Sequence, residues 1–456
     1  MLHRSQGMLA ALAALVASSL ERQHMPGADP TSWGPNLKET YDTAFRNQLS
    51  EDHIVESFMR SDTKSEKWEG KERVIPNKIG RNHSSASIGV GGRLPQAGRQ
   101  QWKEYRVGAR DTYTRVGFER YVMEQTKNKK GAFAEVVATE MELAYEDLLF
   151  HRNRVMWGTG SGVLALVNGA HVATTTLELK APGNITGTIL ANRYLHGTTD
   201  GGMFIAIVTS GGVIEGTAFV EGANADGTDV TLGTAVTCSD NSRVVVATAP
   251  DRHSLDKEPE GLLAGIDDST FVATYHDMSR TTYPSIKSTV ITGVGSFSFD
   301  AIQQGIDAQM IRTGKTIDFF LCEFAVRRAY LQLLEQDRRY TGADLMSPDG
   351  GTKVVKNPAK KIGANRKAIT FGDLPMFEDR DAPFAMLFGV NKESWTRFVL
   401  AEGEWDDTDG KVMKWVQEFD QWTAFYRMMD NFHCQYPNRN IRWEGIDVDQ
   451  ILVRAA

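Results

Sequence analysis

Cysteine is scarce. Three of 456 residues, Cys238, Cys322 and Cys434, stand far apart and in odd number, which excludes a disulfide framework and any cysteine-based zinc pattern. That usage suits a reducing compartment. No run reaches the ~18 apolar residues that crossing a bilayer takes. An excess of base is also missing: 51 Lys and Arg stand against 58 Asp and Glu, a formal charge of −7, so the chain as a whole is not the basic body of a protein that coats DNA directly. Any nucleic-acid contact must be local. With 41% hydrophobic and 24% charged residues, the composition is that of soluble globular chains and excludes a wholly disordered chain or a membrane bundle. The length is about three times the ~150 residues of a common domain, which predicts several modules.

Catalytic and metal-binding motifs are missing too. Gly314-Lys-Thr316 resembles the end of a phosphate loop, but Gln309 stands where the earlier glycine belongs and the triplet follows a helix instead of opening one. Gly158-Thr-Gly-Ser-Gly162 is no nucleophile elbow, since Thr159 occupies the position two before Ser161. A calcium-loop frame ending at Gly410 would put Trp405 and Val416 at its anchoring ligand positions. Ten histidines are scattered without ligand spacing beside a third donor. No cofactor, no metal site and no catalytic residue is expected.

What is present is a series of unlike segments. Met8–Val16 imitates a short signal peptide, yet Leu9, Leu12, Leu15 and Leu20 recur at helical spacing, and an Ala/Leu-rich helix docking on a partner is the reading taken. Leu37, Tyr41, Phe45, Leu49, Ile54 and Phe58 predict one or two short helices in an arm. Strand-like runs at Glu72–Ile75 and Trp102–Val116 flank the Gly/Ser-rich stretch from Asn82 to Arg93, a long hairpin with a flexible tip. Two isolated strands are marginal in water, so such a projection needs support from outside its own chain. Phe133, Val137, Met141, Ala144, Leu148 and Val155 predict one long helix over 131–155, stopped by the glycines at 158–162.

From about Val163 to Pro250 Gly, Thr and Val dominate, with turn signals at Gly201, Gly211 and Asp226, and residues 170–248 are taken as a unit. This is an inserted β module, with Phe204, Ile205, Ile207 and Val220 as its core. Beyond Leu262 the pattern is α+β. Ser298 caps a helix burying Phe299, Ile302, Ile306 and Met310 and ending at Gly314. A strand over Thr316–Cys322, a helix from Glu323 through Leu334, short strands near Ile369 and Ala385–Phe388, a helix over Lys392–Leu400 and a strand-rich end from Lys411 to Ile446 follow. Charge is unevenly spread. Residues 71–130 carry fourteen Lys or Arg against five acids, while 401–450 is acidic. Late aromatics, Trp395, Trp405, Trp415, Trp422, Phe425, Tyr426 and Phe432, lie among those acids and are assigned to packing instead of base stacking.

In this order of elements the chain resembles the tailed-phage major capsid family, the lambdoid-type icosahedral shell fold that encapsulins share. Supporting segments are Ala264-Gly-Ile-Asp-Asp-Ser-Thr270 followed by Ser279–Pro284, the helix, turn, strand, helix series from Phe299 to Tyr340, Leu374-Pro-Met-Phe377 leading to Asp381-Ala-Pro383, Glu404-Trp-Asp-Asp407, and Asp430 to Asn440. The resemblance implies an N-terminal arm (1–66), an E-loop (67–125), a spine helix opening a peripheral domain (126–169), an inserted β-rich domain (170–248), more peripheral domain (249–290), an axial domain (291–410) and a return to the peripheral domain (411–456). It implies a structural subunit, not an enzyme, that forms the hexamers and pentamers of a virion shell around double-stranded DNA after assembly in the host cytoplasm. An encapsulin-like protein compartment is the alternative. Portal, scaffold and decoration proteins are the implied partners, with no membrane and only non-specific contact to packaged DNA. No lysine and asparagine are marked as a crosslinking pair. Because an E-loop lies over an adjacent subunit in this family, Arg93, Arg99, Arg106, Arg110 and Arg115 are expected to meet a neighbour's carboxylates. The candidates are Glu135, Glu142, Glu402, Glu404, Asp406 and Asp407.

Overall fold

Residues 54–59 carry apolar groups at closely spaced positions, and they turn inward at once. The computed structural model describes residues 54–121, 136–182, 195, 197–198, 201–224, 228–341, 369–408, 410–416 and 420–449. The Met8–Val16 run, residues 36–53 and Glu135 lie outside the described residues. Helix α1 (Ile54–Ser57) passes into a π turn at Phe58–Asp62, and Ile54, Val55, Phe58 and Met59 are all buried in the main core. The last part of the expected arm, 1–66, thus packs on the main core. Strand β1 (Lys64–Lys67) then runs parallel to a later strand.

Strands β2 (Glu72–Gly80) and β3 (Gln101–Gly108) form the predicted two-stranded ladder, and residues 81–100 between them carry no strand or helix. The expected single strand over Trp102–Val116 is broken at Ala109. From there β4 (Arg110–Glu119) leaves the hairpin for another sheet. Helix α2 (Val136–Trp157) follows, 22 residues long, or about 33 Å at 1.5 Å per residue.

The β module is a closed ring. Strands β5 (Val163–Val167), β6 (His171–Lys180), β7 (Phe204–Val208), β8 (Ile214–Ala223), β9 (Asp229–Cys238) and β10 (Arg243–Ala249) pair in the order β5-β6-β9-β8-β7-β10, and β10 pairs back with β5. Inside lie Leu164, Leu177, Leu179, Ile205, Ile207, Val220, Val230, Leu232 and Val244. Alternation along β7 turns Phe204 the other way, so this expected core residue packs outside the ring with Phe219, ring centroids 4.6 Å apart. The module begins at Val163, earlier than residue 170, because β5 supplies the partner that closes β10.

After the buried turn α3 (Leu262–Gly265) comes a six-stranded mixed sheet. Its strands are β11 (Thr289–Ile291), β12 (Phe319–Cys322), β13 (Ile369–Phe371), β14 (Leu374–Glu378), β15 (Met386–Val390) and the late β18 (Ile441–Glu444), ordered β11-β18-β15-β12-β14-β13. One face, with Phe319, Leu321, Phe377 and Phe388, packs on Phe58 and Trp157 in the main core. Helices α4 (Phe299–Thr313) and α5 (Phe324–Thr341) cover the other, where Phe320, Met376, Leu387, Ile441 and Trp443 lie. The Ser298 hydroxyl accepts the Ala301 N–H at 3.2 Å, and Gly314 ends α4 at φ 69°, a left-handed position glycine takes without strain. Met310 is 42% exposed instead of buried. Gln309 takes the inward place, its amide donating to the Arg439 carbonyl at 2.7 Å.

Strands β16 (Trp395–Trp405) and β17 (Gln421–Cys434) form a long ladder, with β1 beyond β16 and β4 along the other side of β17. The helix expected over Lys392–Leu400 is one 3₁₀ turn, Lys392–Ser394, followed by strand. Residues 395–399 are buried on both faces, so no two-residue period shows in the sequence, and pairing decides. Sheet membership also crosses the expected domain bounds. Residues 395–405 join the ladder with β4, while 441–444 return to the six-stranded sheet.

Candidate assembly surface

The β2–β3 hairpin is held only at its base. Tyr105 and Val107 point into the body, 1% and 0% exposed, while Trp102 on the other face is 60% exposed. Trp68 meets Phe398 edge-on at 6.1 Å over Val107, and the Tyr105 ring lies 4.6 Å from His433. The Arg106 N–H donates to the His276 carbonyl at 3.1 Å. Half-buried Ile79 is the last contact of β2 with the main core, and beyond Gly80 and Gln101 most of the chain is exposed, ordered by Asn82, whose amide donates to the Gly98 carbonyl at 3.2 Å, and by a turn at Gly89–Gly92. Val90 and Leu94 at this tip are 112% and 78% exposed. Among the described residues nothing covers these apolar side chains on the thin projection.

The five arginines expected at an interface divide into two groups. Arg93, Arg99 and Arg115 are exposed and have no ion pair among the described residues. Arg106 is engaged within its own hairpin, 2.6 Å from Glu104 and 3.9 Å from Glu72. Arg110 donates to the Asp256 carbonyl at 3.0 Å. The acids divide as well. Glu142 and Asp407 are exposed, whereas Glu402 lies 3.4 Å from Arg397 and Glu404 3.8 Å from Arg427. Asp406 is 5% exposed and holds Lys414 and Thr408, so it is an internal partner and not a free carboxylate for a neighbour. It stands directly after β16, and its N–H still donates to the Phe425 carbonyl at 3.0 Å, which fixes its side chain inward. The described structure brings none of the five arginines to any of these acids.

Beneath the hairpin base lies a buried titratable cluster. His276 is 3.0 Å from Glu260, and His433 stacks on Tyr275 with centroids 5.7 Å apart. Burial pushes the Glu260 carboxyl up to about 7 and pulls His276 down to about 3, with Arg110 and Arg280 adding to the latter. His433, buried beside His276, is held well below the usual histidine range. These groups lie under the seat of Tyr105, whose ring meets those of Tyr275 and His433.

Sequence reasoning missed the ions that tie the body together. The Arg152 guanidinium on α2 meets Asp430 on β17, and Arg397 donates to the same carboxylate at 2.9 Å. Asn153, one residue on, accepts the Val55 and Glu56 N–H groups at 3.0 and 3.1 Å and donates to Asp379 and Asp381. A second pair of buried arginines, Arg280 and Arg442, flanks Asp267. A signal for the first existed: Arg152 stands four after Leu148 and three before Val155, on the apolar stripe of the helix. A charge on such a stripe is buried only with a partner.

No family model matches the sequence, and no curated protein matches it. Solved structures do. The chain is similar to one from the capsid asymmetric unit of cyanophage A-1(L), with a TM-score of 0.55 and 10% identity over 92% of this chain and 99% of that one. Weaker likenesses, at TM-scores of 0.47 and 0.44, are to the capsid of a native GTA particle (7% identity, 93% and 100% covered) and to the SrpI encapsulin of Synechococcus elongatus PCC 7942 (7% identity, 94% and 99% covered). The first likeness, spanning nearly the whole of both chains, assigns the fold.

Proposed function

We propose that this chain is a structural shell subunit, the major capsid protein of a tailed-phage virion, with no catalytic role. The observation that carries the reading is the match in fold to a chain of a phage capsid asymmetric unit, over 92% of this chain and 99% of that one. In that frame the β2–β3 hairpin is the E-loop, α2 the spine helix, the six-stranded sheet with α4 and α5 the axial domain, and the closed β ring an insertion. A hairpin seated only at its base, with exposed Val90, Leu94 and Trp102, suits a surface that a neighbouring copy covers. Hexamers and pentamers around double-stranded DNA, with portal, scaffold and decoration proteins as partners, follow from the same reading. Its place is the virion capsid, after assembly in host cytoplasm.

Negative-stain imaging of the expressed protein, with nuclease treatment of purified particles, tests it. Closed shells are the expected result, and nuclease-protected DNA in particles from infected cells separates a virion from a compartment loaded with protein. Monomers or simple dimers at all concentrations and salts sink the reading.

A further inference from the structure

Strand β4 is an open edge. It pairs with β17 along its full length without a register shift, and among the described residues nothing pairs with its other side. Which backbone groups are open follows from the ladder. The Arg120 N–H donates to the Asp420 carbonyl at 3.1 Å, and pairing continues from Glu119↔Gln421 to Arg110↔Asp430. Bonded and non-bonded pairs alternate in an antiparallel ladder, so the even-numbered residues of β4 turn their N–H and C=O groups to β17. Asp111, Tyr113, Arg115, Gly117 and Glu119 turn theirs outward. The side chains of this odd-numbered series are exposed too, Tyr113 at 52%. Edges in folded proteins are ordinarily blunted by proline, a bulge or a covering element. β4 has no proline and no bulge, and no described element covers it.

We propose that β4 pairs antiparallel with β4 of a second copy of this chain, across a two-fold axis at Tyr113. The order of charges along the open edge selects this occupant and this register. With the axis at Tyr113, Asp111 of each copy faces Arg115 of the other, twice by symmetry, and the two tyrosines face one another. With the axis at Arg115, the arginine would face itself and Asp111 would face Glu119, like against like, which is destabilising. An axis at Gly117 also opposes Arg115 to Glu119, but the strand ends at Glu119, so that register pairs only residues 115–119 instead of 110–116. The chosen register pairs Arg110–Val116 of both copies, about six backbone hydrogen bonds in an isologous contact. A contact this small is weak alone, and its use is in an assembly that repeats it. The pairing goes beyond the shell reading and needs only two copies.

The test uses the full chain. In Tyr113→Cys the two new thiols fall on the axis, with Cα atoms about 5.5 Å apart as in a bonded antiparallel pair, within disulfide reach. The native cysteines are all buried and do not compete. Mild oxidation should trap Tyr113→Cys as a disulfide dimer on a non-reducing gel, while Gly117→Cys, off the axis, should remain monomeric. Adding Asp111→Arg to Tyr113→Cys should cut the dimer by about tenfold, the effect of losing roughly 1.4 kcal/mol, and adding Arg115→Asp to that should restore it. Thermal melting of each variant confirms folding. No disulfide dimer of Tyr113→Cys, equal trapping of Gly117→Cys, or no rescue by the charge swap overturns the pairing. Shells of Tyr113→Cys that yield no crosslinked dimer would sink the pairing and leave the shell reading intact; crosslinked dimers without shells would do the reverse.

Discussion

Arg152 and Asp430 meet at 2.9 Å with both side chains shut off from solvent, one on the long helix and the other on the strand ladder. Asp430 also accepts from Arg397, and the Arg152 guanidinium lies 3.6 Å from the buried Glu56 of α1. Three segments far apart in sequence are thus joined through one set of charges. Such a set contributes little net stability relative to a well-packed apolar one, but it is costly to break on one side only.

Replacing Arg152 by Met should therefore destabilise the fold by about 3–5 kcal/mol, since Glu56 keeps only the more distant Arg60 and Asp430 only Arg397. Arg152→Lys should lose a large part of this too, because one ammonium cannot replace three nitrogens that separately face Asp430, Thr112 and Glu56. Denaturant midpoints of the two variants against the parent check the order.

Glu260 gives a dependence on pH. Its folded value is near 7 against an ordinary 4.5, so the folded chain holds the proton that the unfolded chain releases between those values. Stability from this group is full below about pH 4.5 and lost as pH rises through 7. His276 acts oppositely at lower pH, its depressed value making stability grow from about pH 3 to 6.5. Glu260→Gln isolates the first effect: relative to the parent, the variant should gain stability steadily from pH 4.5 to 7.5. A difference in melting temperature that stays flat across that range would falsify the assignment.

The β ring should come away cleanly at Val163 and His253. A Cβ built on Gly162, at φ 73°, would stand 2.8 Å from the Ser254 carbonyl, and the Asp256 N–H donates to Ser161 at 2.8 Å, so the two ends of the module are adjacent. Joining 162 to 254 through a short glycine linker should leave soluble protein with a cooperative melt. A cut at Gly169 and Arg243 leaves β5 without its ring partners and should give less soluble material.

Gly305 inverts a common rule. Alanine for glycine inside a helix ordinarily stabilises by about 1 kcal/mol. Here a Cβ would stand 2.5 Å from the Trp443 ring, and that indole is fixed by its own hydrogen bond to the Ala301 carbonyl at 3.0 Å. Overpacking of this kind costs about 1–3 kcal/mol. Gly305→Ala should melt lower than the parent.

Arg93 and Arg99 are among the hairpin bases with no ion pair among the described residues, so charge reversal of both should slow particle formation and weaken its dependence on salt without altering the monomer's melt. Exposed pairs contribute about 0–1 kcal/mol each, which makes assembly kinetics by light scattering the sensitive measurement. Reversal of Arg106 instead should act mainly within the hairpin, through Glu104.

Local chemistry was enough for some elements. Ser298 and Gly314 bound α4 because a cap and a left-handed stop act on their own neighbours, and the Gly/Ser run from Asn82 marked the hairpin tip because it has almost nothing to bury. The order of elements from β2 to β18 was sufficient to name the shell fold. What the sequence could not decide depends on partners distant in the chain. Lys392–Leu400 read as helix because strands buried on both faces lack the two-residue period, and only pairing with β17 makes it strand. Closure of the β ring rests on the β5–β10 pairing, which no local pattern announces. Asp406 and Arg106 looked like free charges, and the structure gave each a partner in its own chain, Lys414 and Glu104. Composition and periodicity thus determined which segments seek burial and which project. Tertiary structure decided which charges are consumed internally and that one side of β4 stays unpaired among the described residues, because burial and pairing are properties of surfaces brought together across hundreds of residues.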